Sequence, residues 1–215
     1  NAPLLIGLIA VVVIGLGVFV GNQFFREVKD NNVAGSVKAY SGKQMIVLNA
    51  TIEFGNYEQD NNASTKNEPI IWRVISVDNG EALLICDQVI DSLTFNDGSY
   101  TSNEVLWKDS YLRNWLNKDF YNGAFSPEEK ECIIPVNGDN VFVMSYDNLI
   151  RYLQDYKVVP TAFAKAKGVY VSSSDNCGYW LSSPGKYPNY AAYVRYDGVA
   201  FAEGISVSEQ KIGVR

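Results

Sequence analysis

The sequence contains no histidine and only three cysteines. The absence of histidine excludes Ser-His-Asp and Cys-His catalysis and every zinc site that needs an imidazole ligand. The cysteines, Cys86, Cys132 and Cys177, lie far apart, so the chain has no CxxC metal or redox motif. Because Cys86 lies in an apolar run and Cys132 ends an amphipathic one, we expect buried free thiols. One disulfide is compatible with the sequence, but nothing in it requires one.

Clusters of basic residues are absent as well. The formal net charge is −6, and the 18 Lys and Arg residues are spread among 24 Asp and Glu residues. A chain without a basic patch has no surface that follows a phosphate backbone, so we do not expect nucleic acid as a partner. The 215 residues, less an apolar start, suffice for one domain of ordinary size.

The start of the chain is apolar. Residues 1–25 contain no charged side chain, and residues 3–20 are almost wholly aliphatic. A run of this length spans a bilayer as one helix, and no small-residue cleavage site of a signal peptide follows it. We therefore predict a transmembrane helix over residues 1–25 and a stalk over residues 26–42. The GxxxG spacing of Gly17 and Gly21 allows two such helices to associate, although glycine is also common in membrane helices that stay single.

Strand and turn signals dominate residues 43–215. Residues 69–77 and 82–86 flank Asn79-Gly80, which supplies the positive φ angles of a tight hairpin turn. Asp197-Gly198 predicts a second hairpin, between residues 191–196 and 199–202. Further short strands are predicted at residues 45–48, 51–54, 141–144, 205–207 and 212–214.

Four helical segments fall between the early and the late strands. Leu112, Trp115, Leu116 and Phe120 form one apolar stripe, which predicts a helix over residues 111–120. Ser126-Pro127-Glu128-Glu129 has the residues of a capping box. Ser145 and Thr161 stand before two further helical patterns, at residues 146–153 and 161–167. The order of elements predicts an α+β domain with the helices on one side of an antiparallel sheet.

Residues 45–215 contain a series of ordered motifs, which are FGNYEQD (54–60), EPIIWRV (68–74), LRNWLN (112–117), AFSPEE (124–129), PTAFA (160–164), WLSSPG (180–185) and GVR (213–215). Together these motifs resemble a bacterial domain family of unknown function, DUF6273, which is frequent in Gram-positive gut bacteria. This chain departs from the family pattern at Tyr179 and Ser182, where tryptophan and arginine are usual.

The resemblance implies a C-type-lectin-like fold, shared with formylglycine-generating enzymes and with the variable proteins of diversity-generating retroelements. It also implies a single membrane tether, sometimes behind a small cytoplasmic zinc-binding module that would lie upstream of Asn1. The family pattern continues past Arg215 into a final strand, so we expect the lectin-like domain, residues 43–215, to be truncated at its C-terminus.

In lectin-like folds, ligands bind the face built from the late loops and strands. We therefore predict a binding face made of aromatic and charged residues, because Tyr and Arg give a large contact area and polar tips at low entropic cost. Alternate strand positions face inward, so packing in the sheet is the alternative for part of this set. The four tryptophans, in apolar or periodic contexts, are expected in the core. The candidate ligand-binding residues are Tyr179, Tyr187, Tyr190, Tyr193, Arg195, Tyr196 and Glu203.

We predict no metal site and no cofactor. Asp175, Asn176, Asp197 and Glu203 carry the oxygen ligands that calcium prefers, but the Glu-Pro-Asn and Trp-Asn-Asp signatures of calcium lectins are absent. Asp175-Asn176 is better explained as a turn.

Together these features predict a single-pass membrane protein of a bacterial cell surface. Its lectin-like domain would lie outside the cytoplasm and bind a glycan, peptide or protein without catalysis. A pilin-like filament subunit is the main alternative, although Leu5 stands where pilins carry a glutamate. A formylglycine-generating-type enzyme is the second alternative, but only Cys177 lies where those enzymes have two cysteines.

Overall fold

The computed structural model describes residues 11–13, 47–78, 81–96 and 105–215. These residues form two five-stranded sheets with short helices between their strands. Two of the four strand pairs of the first sheet and three of the four pairs of the second are antiparallel. Antiparallel sheets with a few short helices confirm the predicted α+β class.

The first sheet has the strand order β2-β3-β4-β1-β6. Its centre is the predicted first hairpin, in which Asp78 pairs with Glu81 and Trp72 pairs with Cys86. The strand predicted at residues 51–54 extends to Tyr57, whereas Val47 and Leu48 belong to a turn in which the backbone N–H of Ala50 bonds the carbonyl of Val47. The strands of this sheet are β1 (Val11–Val13), β2 (Thr51–Tyr57), β3 (Glu68–Asp78), β4 (Glu81–Cys86) and β6 (Ile133–Ile134).

The second sheet has the order β5-β10-β7-β8-β9. The predicted late hairpin is present, with Tyr193 opposite Phe201 and Val194 opposite Ala200. Because no further strand pairs with the outer side of β9 among the described residues, β9 is an edge of this sheet. Its strands are β5 (Asp91–Ser92), β7 (Tyr179–Pro184), β8 (Tyr190–Val194), β9 (Ala200–Ser206) and β10 (Gly213–Val214).

The helices follow their sequence signals closely. Ser126 Oγ accepts from the backbone N–H of Glu129 at 3.2 Å, and Glu129 Oε2 accepts from the N–H of Ser126 at 2.8 Å, which confirms the capping box. Glu129 Oε1 also accepts from the N–H of Gly55, so the same carboxylate ties this helix to β2. The helices are α1 (Tyr111–Trp115), a π turn (Leu116–Phe120), α2 (Tyr121–Ala124), α3 (Pro127–Cys132), α4 (Tyr146–Tyr152) and α5 (Ala162–Ala166).

Residues 141–144, predicted as a strand, are buried but pair with no named strand in the described part of the chain. The backbone N–H of Ser182 donates to the carbonyl of Met144, and this hydrogen bond joins the end of the segment to β7. Its apolar side chains fill the core without the ladder of hydrogen bonds that defines a strand.

Strand alternation divides the interior into two apolar cores. Leu84 and Trp180 face one core, whereas their neighbours Leu83, Ile85 and Tyr179 face the other. Trp72 and Trp180 are fully buried, and their indole N–H groups bond the carbonyls of Phe54 and Leu93. Trp107 and Trp115 are half-buried and pack against the first core.

The predicted transmembrane helix and stalk lie outside the described residues, apart from Val11–Val13. The structure gives these three residues as β1, which pairs in parallel with β4 on one side and β6 on the other. The described part of the chain contains no helix with the length and apolar character that a membrane crossing needs.

Candidate functional site: an aromatic groove beside the late hairpin

A groove of about 220 Å³ lies beside the hairpin of β8 and β9. We call it the aromatic groove, because three of the residues that line it are tyrosines. Its walls come from the late strands, from the segment after α5 and from the loop before β10. It is lined by Tyr170, Gly178, Tyr193, Arg195, Tyr196, Ile205, Glu209, Lys211 and Ile212.

The turn that follows β8 brings its charged and aromatic side chains together. The backbone N–H of Arg195 bonds the carbonyl of Val199, and Gly198 adopts a φ of +83°, which glycine tolerates without strain. The Arg195 guanidinium forms a bidentate ion pair with Asp197, whose Oδ1 lies 2.9 Å from Nε. This hydrogen-bonded partner lowers the pKa of Asp197 to about 2, so the pair stays ionised at neutral pH.

Aromatic stacking supports this arginine. Tyr193 and Phe201 lie opposite each other on β8 and β9, with ring centroids 5.6 Å apart and planes 24° from parallel. The Arg195 guanidinium carbon lies 4.8 Å from the centroid of Phe201, within reach of a cation–π contact. Partial burial raises the pKa of Tyr193, so its hydroxyl stays protonated and can donate a hydrogen bond.

Tyr170 and Tyr196 form a second aromatic pair of the groove, with ring centroids 5.1 Å apart. Both side chains are exposed, Tyr170 by 49% and Tyr196 by 37%. Tyr170 is held in place through its backbone N–H, which bonds the carbonyl of Lys211 at 3.0 Å. Two exposed, mutually packed phenol rings are a rigid apolar platform with polar tips.

Three of the seven predicted ligand-binding residues, Tyr193, Arg195 and Tyr196, line the aromatic groove together. On a regular strand, Tyr196 would face away from Tyr193. It does not, because β8 ends at Val194 and the turn redirects the next residues.

Three other predicted residues, Tyr187, Tyr190 and Glu203, form a separate surface cluster. The rings of Tyr187 and Tyr190 meet edge to face at 5.1 Å, and Lys186 lies 5.9 Å from the centroid of Tyr187. Glu203 pairs with Lys186 at 3.2 Å. This cluster is exposed, but none of its residues contributes to the aromatic groove.

Tyr179 corrects the predicted set, because its side chain is only 2% exposed and no ligand on the surface reaches it. It lies on the inward-facing side of β7, in the second core. The Arg215 guanidinium covers its ring and donates from Nη1 to its hydroxyl at 3.1 Å. Tyr179 therefore anchors the buried Arg215, whose Nε also donates to the carbonyl of Cys86.

The sequence did not single out Tyr170, Glu209 and Lys211 as groove residues. Tyr170 shares the aromatic character of the late section and could have been included on that ground. Glu209 and Lys211 carry no local signal, because their place beside Tyr170 depends on the fold, in which the backbone N–H of Tyr170 bonds the carbonyl of Lys211.

The thiols offer no reactive group at the site. Burial raises the pKa of Cys86 and of Cys177 to about 12, so both stay protonated and are poor nucleophiles at neutral pH.

Three carboxylates of the described residues, those of Glu58, Asp60 and Glu68, approach within 4.8 Å of one another. Their oxygens accept backbone N–H bonds, such as Gln59 N to Glu68 at 2.7 Å, which explains the cluster without a metal. The late acidic residues Asp175, Asp197 and Glu203 each pair with a lysine or arginine instead of converging on a cation site.

The family described as Domain of unknown function (DUF6273) matches residues 79–215, which include every residue of the aromatic groove. No curated protein and no solved structure shows significant similarity to the chain.

Proposed function

The chain belongs to the DUF6273 domain family, and we propose that it is a membrane-anchored module that binds a glycan or peptide outside the cytoplasm, without catalysing a reaction. The observation that carries this proposal is the aromatic groove, where Tyr170, Tyr193, Arg195 and Tyr196 converge. We propose further that its two sheets and short helices are a variant of the C-type-lectin-like fold, whose ligand face is also built from late strands.

The size of the groove favours a polymeric ligand that inserts one unit. A volume of about 220 Å³ is below the range of roughly 300–1,000 Å³ that encloses a whole small-molecule ligand. One sugar ring or one side chain can pack on the phenol rings of Tyr170 and Tyr196, while the neighbouring units contact the exposed surface. Tyr193, Arg195 and Lys211 supply hydrogen-bond donors at the rim.

The residues at hand favour binding over chemistry. The sequence has no histidine, and its two buried thiols are held protonated. Asp197, the carboxylate nearest to Arg195, is already neutralised by that arginine, so it is not a poised general base.

Binding is tested with the 215-residue chain in detergent on an array of glycans, cell-wall fragments and peptides, with and without calcium. We expect a signal that Tyr170→Ala and Tyr196→Ala abolish, because each removes half of the aromatic platform. Tyr187→Ala is the matched control, since it removes another exposed tyrosine that lies outside the groove. The proposal would be contradicted if the wild-type chain bound nothing on the array, or if only Tyr187→Ala abolished the signal.

Membrane attachment rests on the uncharged run of residues 1–25. In the structure Val11–Val13 pair with β4 and β6, so this part of the proposal requires these residues to lie in the bilayer instead. Alkaline carbonate extraction of cells that express the chain tests it. Retention in the membrane pellet supports the anchor, and release into the supernatant shows that the segment is not membrane-embedded.

A further inference from the structure

A second concave surface, which we call the polar cleft, lies beside α1 and shares no lining residue with the aromatic groove. Its volume is about 650 Å³, which suits a whole small molecule. It is lined almost entirely by polar and charged side chains, and nothing in the proposed function uses it. The residues that matter for its chemistry are Asn96, Lys108, Arg113, Asn117, Lys118 and Asp139.

Two side chains of the polar cleft, Asp139 and Asn117, already accept hydrogen bonds from the protein. Asp139 Oδ1 accepts from Arg113 Nε at 2.6 Å, and Oδ2 accepts from Trp107 Nε1 at 2.8 Å. The Asn117 side-chain oxygen accepts from the backbone N–H groups of Asn140 and Val141. A ligand that needs acceptors from these two side chains would have to break existing bonds.

Donors, by contrast, are left over. Asn96 is 2% exposed, and its Oδ1 accepts from the backbone N–H of Tyr111 at 3.1 Å, which fixes the orientation of the amide. Its Nδ2 has no hydrogen-bond partner within the described residues. A buried donor without a partner costs free energy, and an acceptor atom of a ligand removes that cost.

The charged side chains of the polar cleft leave one positive charge in excess. Among the described lining residues, Lys108, Arg113 and Lys118 are cationic, whereas Asp109 and Asp139 are anionic. Lys108 pairs with Asp109, and Arg113 pairs with Asp139, so Lys118 is the cation without an ion-pair partner in the described part of the chain. One unpaired positive charge complements one negative charge, and the two aspartates disfavour a dianion.

We propose that the polar cleft binds a small monoanion of the carboxylate class, such as a sugar acid. One oxygen of the ligand accepts from Asn96 Nδ2, and the carboxylate lies near Lys118 and the guanidinium of Arg113. The remaining hydroxyl groups of such a ligand match the amide side chains that line the rest of the cleft. A phosphate monoester, with close to two negative charges, fits less well.

The test is a titration of the ¹⁵N-labelled 215-residue chain in detergent with sodium glucuronate, followed by two-dimensional ¹H–¹⁵N NMR. The side-chain amide of Asn96 gives its own signal, so the experiment observes the proposed donor directly. We expect a saturable shift of that signal with half-saturation at about 1–10 mM, a range typical of weak small-molecule binding. Glucose tests the need for charge, and methyl phosphate tests the preference for a monoanion.

Two variants sharpen the titration. Asn96→Asp keeps the acceptor for Tyr111 but replaces the donor with an oxygen, so glucuronate binding should weaken at least about 10-fold. Lys118→Gln should weaken it about 3-fold, as expected for one exposed charge. Lys66→Gln, on the exposed loop before β3, is the matched control and should have no effect.

The proposal is overturned if the Asn96 amide signal does not move with glucuronate, or if glucose or methyl phosphate shifts it as strongly. It is also overturned if Lys118→Gln and Lys66→Gln bind glucuronate equally well. The Asn96 signal of the wild type and the comparison of Lys118→Gln with Lys66→Gln do not require the Asn96→Asp variant. The test therefore holds even if Asn96→Asp does not fold.

Discussion

The aromatic groove and the polar cleft are held together in different ways. In the groove, the central ion pair joins Arg195 to Asp197, two residues further along the chain. In the cleft, Asp139 receives bonds from Trp107 and Arg113, which precede it by 32 and 26 residues. Short-range contacts preorganise a local surface, whereas the long-range contacts of the cleft also tie separate parts of the fold together.

This difference implies that charges in the two sites have different roles. Asp139 is nearly buried and cross-links three segments, so its loss should affect the whole domain. Asp197 lies at a solvent-exposed turn, where an ion pair contributes little to stability. Substitution of the two aspartates therefore separates these two roles.

The largest expected effect is that of Asp139→Ala. It leaves the indole N–H of Trp107 without its acceptor and Arg113 without its partner, so we expect a loss of about 3 kcal/mol in the free energy of unfolding. Urea denaturation of the 215-residue chain in detergent measures it. Asp197→Ala is the control and should lower the free energy of unfolding much less, because its ion pair is exposed to solvent. Equal losses in both variants would contradict the comparison.

The aromatic groove and the polar cleft each contain a glycine, and the two glycines differ in their surroundings. A Cβ on Gly178, in the groove, would lie 2.6 Å from the carbonyl oxygen of Val194, which is backbone and cannot move aside cheaply. We expect Gly178→Ala to cost about 2 kcal/mol, because β7 and β8 must separate. Denaturation curves check this value, and an unchanged midpoint would disprove the crowding.

A Cβ on Gly138, in the cleft, would have no neighbouring atom within 4 Å, but the residue has a φ of +86°. Gly138→Ala should therefore cost only about 1 kcal/mol, from backbone strain. Gly138→Asn should recover part of this loss, because asparagine tolerates the left-handed region. A larger loss for Asn than for Ala would show that space, not conformation, selects glycine there.

The smallest effect concerns the titration of Asp197. Its pKa is lowered from 3.8 to about 2 by the hydrogen bonds from Arg195, so the folded state binds its proton less readily than the unfolded state. The stabilisation is complete above pH 3.8 and is lost as the pH falls towards 2. Carboxyl ¹³C NMR should show this midpoint, and Arg195→Gln should return it towards 3.8. A midpoint near 3.8 in the wild type would show that Arg195 does not stabilise the ionised Asp197.

Much of the fold was predictable, because its signals are local. The capping box at Ser126, the turn at Gly198 and the apolar stripe of Leu112, Leu116 and Phe120 each act over a few residues, and each is present. Residues 141–144 show the limit of such signals. Their apolar run is compatible both with a buried strand and with a buried segment that has no strand pairing. Only the tertiary structure shows that no partner strand is present among the described residues.

The candidate site was predictable in part for the same reason. Tyr193, Arg195 and Tyr196 are consecutive or nearly so, and one turn brings them together. Tyr179 was misplaced because strand alternation alone does not say which face is covered, and here Arg215 covers it. The polar cleft was not predictable from the sequence. Asn96 and Asp139 lie far apart in the chain, and only the fold places both of them in its lining.

The most direct test of the proposed function is NMR of the 215-residue chain with ¹³C-labelled tyrosine rings, titrated with the strongest ligand from the array. We expect the ring signals of Tyr170, Tyr193 and Tyr196 to shift with one common affinity, while those of Tyr187 and Tyr190 stay in place. A shift of Tyr187 and Tyr190 without the groove tyrosines would place the binding surface elsewhere and contradict the account.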